Sequence, residues 1–183
     1  MSPEVVVRHG APTLAGLKTG NLFPCTFPGR AELTAQLRRL NRILTPRGLR
    51  LLPLRSGESD ALLYLFRPAL LARDLAEPEA RRLLRQAGYP GCRPALCLRE
   101  LNRRLTSGAD FPHEIGLFLG YPPEDVQGFI QHRGRACKLS GCWKVYGDEQ
   151  AARQCFAVYR GCTESYCRRW ARGEGLEGLV VEC

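Results

Sequence analysis

The chain has 183 residues, of which 44% are hydrophobic and 25% charged, with a formal net charge of +9. That length supports one ordinary domain with a real core, and the composition is that of a globular chain rather than a disordered one. No apolar run approaches the roughly 18 residues of a membrane span, and MSPEVVVRHG lacks the basic-then-apolar pattern of an export signal, so a cytoplasmic protein without membrane attachment is expected.

In chain order, the β-branched run EVVVRH predicts a strand over 4–8. GAPTLAGLKTGNLFPCTFPGR is punctuated by Gly and Pro and predicts a loop with one short helix. RAELTAQLRRLNRILTPRG places Leu33, Leu37, Leu40 and Leu44 at spacings of three and four, an amphipathic helix stopped by Pro46 and Gly48. LRLLPLRSGESDALLYLFRP reads as two strands, 49–55 and 61–66, joined by the polar turn SGESD. From Pro68 to about Thr106 the pattern is helical. PALLARDLAEPEARRLLRQAGYP forms two short helices, the second opened by Pro78, and RPALCLRELNRRLTSG forms a third.

The stretch DFPHEIGLFLGYPPEDVQGFIQHRG follows. Its nearly continuous Ile115, Leu117, Phe118 and Leu119 predict a segment buried on both faces, as a strand beside the N-terminal one. Pro122 and Pro123 open a helix with Glu124 and Asp125 in its first turn. ACKLSGCWKVYGD suggests a strand over 141–146. DEQAARQCFAVYRGCTESYCRRWARG is a long helix with Asp148 as its N-cap and Glu149 in the first turn. The tail GLEGLVVEC adds a last short element. The expectation is α+β: a single domain over 1–183 with a small mixed or antiparallel sheet, packed helices and a helical insertion over about 68–106.

Several residues carry chemical interest. Nine cysteines, an odd number, without an export signal argue against a disulfide framework. Cys155 and Cys162 lie seven apart on the long helix, on one face with Ala152, Tyr159 and Tyr166, and read as core thiols. Cys92, Cys97, Cys137 and Cys142 form two C-x₄-C pairs, at the loose end of zinc-ligand spacing. GAPTLAGLKTG follows the first predicted strand and has Gly10, Gly16, Lys18 and Thr19, but Leu17 breaks the register of a phosphate loop. His113 stands beside Glu114 at the entrance to the apolar segment. Adjacent residues of a strand point to opposite faces, so one of the two faces a pocket, and His113 is the candidate to bind a ligand or move a proton. The expected pocket brings His113 and Glu114 to His9, Thr13 and Lys18 of the N-terminal loop, with Trp143, Lys144 and Tyr146 nearby and the lysines serving an anionic ligand. Of the 27 basic residues 24 are Arg, spread from Arg8 to Arg172. Such spread suits solvated faces, with nucleic acid as the sharper alternative.

The segments RHGAPTLAGLKTGNLFPC, GLRLLPLRSG, FPHEIGLFLGYPPEDVQGFI, GCWKVYGDEQAA and CTESYC together resemble the bacterial DUF3793 family, over nearly the whole chain from about Val5 to Val181. The resemblance implies an anaerobic, mainly Firmicutes setting, whose reducing cytoplasm suits nine thiols. It brings no activity, cofactor or ligand with it. In the family pattern the position of Gly10 is often Cys. A thiol there, with the His of PHEIG, would resemble a papain-like nucleophile pair, and this chain lacks it. The expected function is therefore a non-hydrolytic accessory protein for redox, metal or cofactor handling. Its partner would be a small anionic ligand or a redox protein. An enzyme on a thiol-hydrolase-like scaffold and a basic nucleic-acid-binding module are the alternatives.

Overall fold

The computed structural model describes residues 2–91, 93–107 and 110–182. The fold is α+β, as expected, and by contact it divides into two compact units. One is built from residues 1–69 and 159–183, the other from 70–158.

The first unit begins with helix α1 (Pro3–Leu14), where a strand over 4–8 was expected. The stop-start signal lay just upstream. The Ser2 hydroxyl accepts a hydrogen bond from the Glu4 N–H at 3.2 Å, Pro3 occupies the first turn, and Glu4 sits at the positive helix end. Three consecutive valines cost a helix only tenths of a kcal/mol each, and burial of Val6, Val7, Ala11 and Leu14 outweighs that.

Strand β1 (Gly20–Thr26) lies in the stretch expected to be a loop with a short helix. Its Gly20 and Pro24 read as punctuation, yet Pro is tolerated on an edge strand. With β2 (Arg50–Ser56) and β3 (Asp60–Phe66), β1 forms an antiparallel sheet in the order β1-β3-β2. Phe23 lies opposite Leu63, Cys25 opposite Ala61 and Leu51 opposite Leu65, with a bulge between Pro53 and Arg55. These inward residues join α1, helix α2 (Arg30–Leu44) and Tyr166, Leu176, Leu179 and Val180 in one apolar core. Asn41 of α2 covers the β2 edge. Its amide donates to the Leu51 carbonyl at 2.7 Å and accepts from the Leu51 N–H at 2.9 Å, as a neighbouring strand would. The buried Arg67 donates to the carbonyls of Thr13, Leu14 and Val181 at 2.7–2.8 Å, capping α1 and fastening the C-terminal tail.

The second unit contains the three expected helices: α3 (Pro68–Ala76, whose first two residues fall in the first unit), α4 (Pro78–Gln86) and α5 (Pro94–Thr106). The apolar segment expected as a strand is a single helical turn, α6 (Ile115–Phe118). A continuous apolar run fits a buried helix as well as a buried strand, and periodicity cannot separate them. Gly120 ends the turn at φ +74°, and the Tyr121 N–H donates to the Gly116 carbonyl. A Cβ on Gly116 would stand 2.7 Å from Val126 Cγ2, so glycine permits α6 to approach helix α7 (Pro123–His132). The strand expected over 141–146 is half of a small hairpin, β4 (Leu139–Ser140) and β5 (Lys144–Val145). Helix α8 (Glu149–Ala171) runs across the division at 158/159 and is N-capped as expected, the Asp148 carboxylate accepting from the Ala151 N–H at 3.0 Å. A short helix, α9 (Leu176–Leu179), closes the chain. No helix among the described residues is long and apolar enough to cross a membrane.

Candidate functional site

Among the described residues of the second unit lie a cavity of about 660 Å³ and another of about 250 Å³, and Phe111 and His113 line both. The smaller is walled by aromatic rings. Phe111, Tyr121, Phe129 and Trp143 surround it with Ile115, Val126 and the His113 imidazole, and Lys144 stands at its edge. Each ring is held in place. His113 packs against Phe111 and Phe129 with ring centroids 5.9 and 4.9 Å apart. Tyr121 stacks on Trp143, whose other contact is edge-on with Phe156. Burial pushes the Tyr121 hydroxyl up to about 12, with the nearby Cys142 adding to it, so it is a neutral donor, given to the Cys142 carbonyl at 3.2 Å.

Asp125 is what attaches the hairpin to α7. This buried carboxylate accepts from Trp143 Nε1 at 2.7 Å and from the backbone N–H groups of Tyr146 and Gly147 at 2.7 and 2.8 Å. Three donors, two of them backbone, satisfy the charge without a cation. Asp125 is thereby committed to structure, and its bond to Nε1 holds the indole in the cavity wall.

Glu114 is likewise structural. It is buried and accepts from the Tyr89 hydroxyl at 3.0 Å and from Arg104 at 3.2 Å. Burial, with the Glu114 charge beside it, raises the Tyr89 pKa far above the ordinary tyrosine range. Arg104 also binds Glu100 and donates to the Ala87 carbonyl. The arginines lining the larger cavity, Arg103 and Arg104, are thus neutralised by Glu100 and Glu114. His113, by contrast, is exposed, and among the described residues its imidazole makes ring contacts and no hydrogen bond. His113 and Glu114 both line the larger cavity, and of the two only His113 lines the smaller. The Lys144 ammonium also lacks a hydrogen-bonding or ion-pair partner among the described residues, whereas Lys138 donates to the Gly147 carbonyl at 2.8 Å.

Tyr146 stacks on His132 and donates to the Arg135 carbonyl, outside the two cavities. His9, Thr13 and Lys18 belong to the first unit. His9 is exposed and stacks on Phe23, Thr13 is buried and donates to the Asn21 side chain at 2.7 Å, and Lys18 is buried with its ammonium 5.9 Å from the Tyr159 ring centre. Their expected place beside His113 requires EVVVRH and IGLFL to be adjacent strands, whereas Pro3–Leu14 and Ile115–Phe118 are helices.

Cys92 lies outside the described residues. Cys97 is buried, with its thiol directed at the Gly91 carbonyl; Cys137 precedes the hairpin and Cys142 lies in its turn. No group of three or more His, Cys, Asp or Glu side chains that could hold a metal occurs among the described residues. Cys155 and Cys162 are half-buried, and burial raises the Cys162 thiol above its ordinary range. Gly10 sits on the buried face of α1, where a Cβ would stand 2.4 Å from Leu65 Cδ2. A side chain at position 10 of this chain faces the core, which is no place for a nucleophile.

Sequence reasoning missed Phe111, Tyr121 and Phe129 as walls and Asp125 as the anchor. The spacing Phe111-x-His113 and the Val126/Phe129/Ile130 face of α7 were the available signals. A family model described as a protein of unknown function, DUF3793, matches residues 6–180. No curated protein and no solved structure matches the chain.

Proposed function

The chain belongs to the DUF3793 family, and from that premise we propose that it is a cofactor-handling protein that binds a small anionic molecule bearing a planar aromatic ring. The ring enters the aromatic-walled cavity of about 250 Å³, and the rest of the ligand extends past His113 into the larger one. One observation carries the reading: within a wall whose carboxylate is saturated by three donors, Lys144 and His113 are uncommitted. A site with apolar walls and few convergent polar groups is the usual form of a small-molecule pocket. The face of Trp143 and its neighbours favours a flat π-system, and Lys144 supplies the charge for an acid group. A reducing cytoplasm of an anaerobic bacterium is the setting we assign, which suits the exposed Cys142 beside the site.

The test is purification under strict anaerobiosis, mass spectrometry of co-purified small molecules, and titration of the identified aromatic acid by Trp143 fluorescence. His113→Ala is expected to abolish binding while the melting temperature stays within a few degrees, because the exposed imidazole supports no buried partner. Lys144→Gln should weaken binding by roughly 10- to 100-fold, the worth of one charge-assisted hydrogen bond. A His113→Ala protein that unfolds, or binds as tightly as the wild type, sinks the reading.

A further inference from the structure

On four helices an acid one turn toward the N-terminus neutralises an arginine. Glu4 meets Arg8 on α1, Glu79 meets Arg82 on α4, Glu100 meets Arg103 and Arg104 on α5, and Glu149 meets Arg153 on α8. That is the favoured orientation of a helical ion pair. Helix α2 has three neighbouring arginines and no such pair among the described residues. The positions one turn before and after Arg38, Arg39 and Arg42 contain no Asp or Glu. Its one acid, Glu32, is bonded to Gln36. All three arginines are exposed, and none pairs with a carboxylate among the described residues. Arg47, just beyond the helix, is different: it reaches Glu182 at 3.7 Å and donates to the Ile43 carbonyl.

Arg38 and Arg42 also line one side of a shallow groove of about 750 Å³, with Ala35, Asn41, Thr45 and Pro46 completing it. The Asn41 amide is spent on the Leu51 backbone, so the groove offers guanidinium groups and little else that is charged. The unit that carries α2 has fourteen Lys and Arg against eight Asp and Glu, a net of +6 out of the chain's +9.

We infer that the exposed face of α2 formed by Arg38, Arg39 and Arg42 binds the phosphodiester backbone of a nucleic acid. Guanidinium forks match phosphate oxygens two at a time, which ammonium groups do not. A cluster without counter-charge keeps those forks available and concentrates the attractive field. With the guanidinium groups spent on phosphate oxygens, the binding is predicted to be salt-dependent and indifferent to sequence. This site is in the first unit and stands independently of the ligand cavity in the second.

Fluorescence anisotropy with the full chain and a labelled 20-nucleotide RNA and its duplex, from about 50 to 200 mM KCl, the range over which phosphate contacts show their salt dependence, tests it. Arg38→Gln/Arg42→Gln should bind at least tenfold more weakly than wild type, and its log K against log salt should flatten by about one to two, since each phosphate contact removed lowers the slope by about 0.7–1. The control is Arg81→Gln/Arg85→Gln on α4, which removes the same charge from exposed positions in the other unit. It should bind as wild type does. Equal loss in the two double variants would mean general charge attraction and overturn the proposal. So would absence of binding at the lowest salt, or binding to phosphatidylserine vesicles or a poly-glutamate peptide in place of nucleic acid. Circular dichroism of each variant establishes that a loss is not unfolding.

Discussion

Asp125 and Gly10 exemplify two ways in which one residue is tied to the fold. Asp125→Ala would leave the Trp143 indole N–H and the backbone N–H groups of Tyr146 and Gly147 without their acceptor. A stranded buried donor costs about 1–3 kcal/mol, and these three are half-buried and partly rescued by solvent, so the variant should lose about 1–3 kcal/mol in all in denaturant unfolding and show altered Trp143 fluorescence. Asp125→Asn keeps one acceptor oxygen and should fall between. A stable Asp125→Ala protein with native fluorescence would mean the hairpin does not depend on that carboxylate. At position 10, Gly10→Cys introduces a side chain against the fully buried Leu65. Overpacking of this kind costs about 1–3 kcal/mol, and the new thiol should resist alkylation in the native state. Rapid labelling of that thiol in folded protein would reopen the nucleophile reading.

Caps and ion pairs add a pH-dependent part to the stability of the elements. On α5, hydrogen bonds from Arg103 and Arg104 hold the Glu100 carboxyl at about 2, below its ordinary 4.5. A carboxyl depressed by folding contributes stability that is present above about pH 4.5 and is lost as pH falls through about 2. Arg103 is mostly in solvent, so its share is screened, and Arg104 carries more of the effect. Glu100→Gln should therefore flatten the decline in melting temperature between those two pH values. An unchanged acid profile would show that the pair contributes nothing measurable. At the alkaline end the sign is opposite. Tyr89 is raised by burial and by Glu114, so its contribution is complete below pH 10 and declines above it.

At the scale of the whole molecule, the unit of residues 70–158 is inserted into the chain of the other, whose core is completed only by residues near the C-terminus. Leu176, Leu179 and Val180 join the apolar cluster of α1, α2 and the sheet, and the Val181 N–H donates to the Leu14 carbonyl. Burying each such side chain is worth roughly 1.5–3 kcal/mol. A chain ending at residue 174 should lose most of its cooperative unfolding transition by calorimetry, and retention of a native-like transition would refute the argument. We also propose that 1–183 acts as one folding domain, which predicts a calorimetric enthalpy equal to the van't Hoff value.

Much of this was legible from local pattern. The helices from Pro68 to Thr106, the β2–β3 hairpin, the Asp148 cap and the leucine stripe of α2 rest on spacing, proline placement and turn residues, which act within a few positions of the chain. The sequence by itself also determined the α+β class, the basic character and the family, and it singled out His113. Tertiary structure alone decided the rest. Whether EVVVRH and IGLF coil or extend depends on what each buries, and short apolar runs satisfy either state. Whether a carboxylate is a chemical group or a structural one depends on its donors, and Asp125 finds them 18 to 22 residues away on the hairpin, beyond any helical or strand period. The aromatic cavity is assembled from four separated segments, because packing of side chains obeys distance in space and carries no signature in sequence separation.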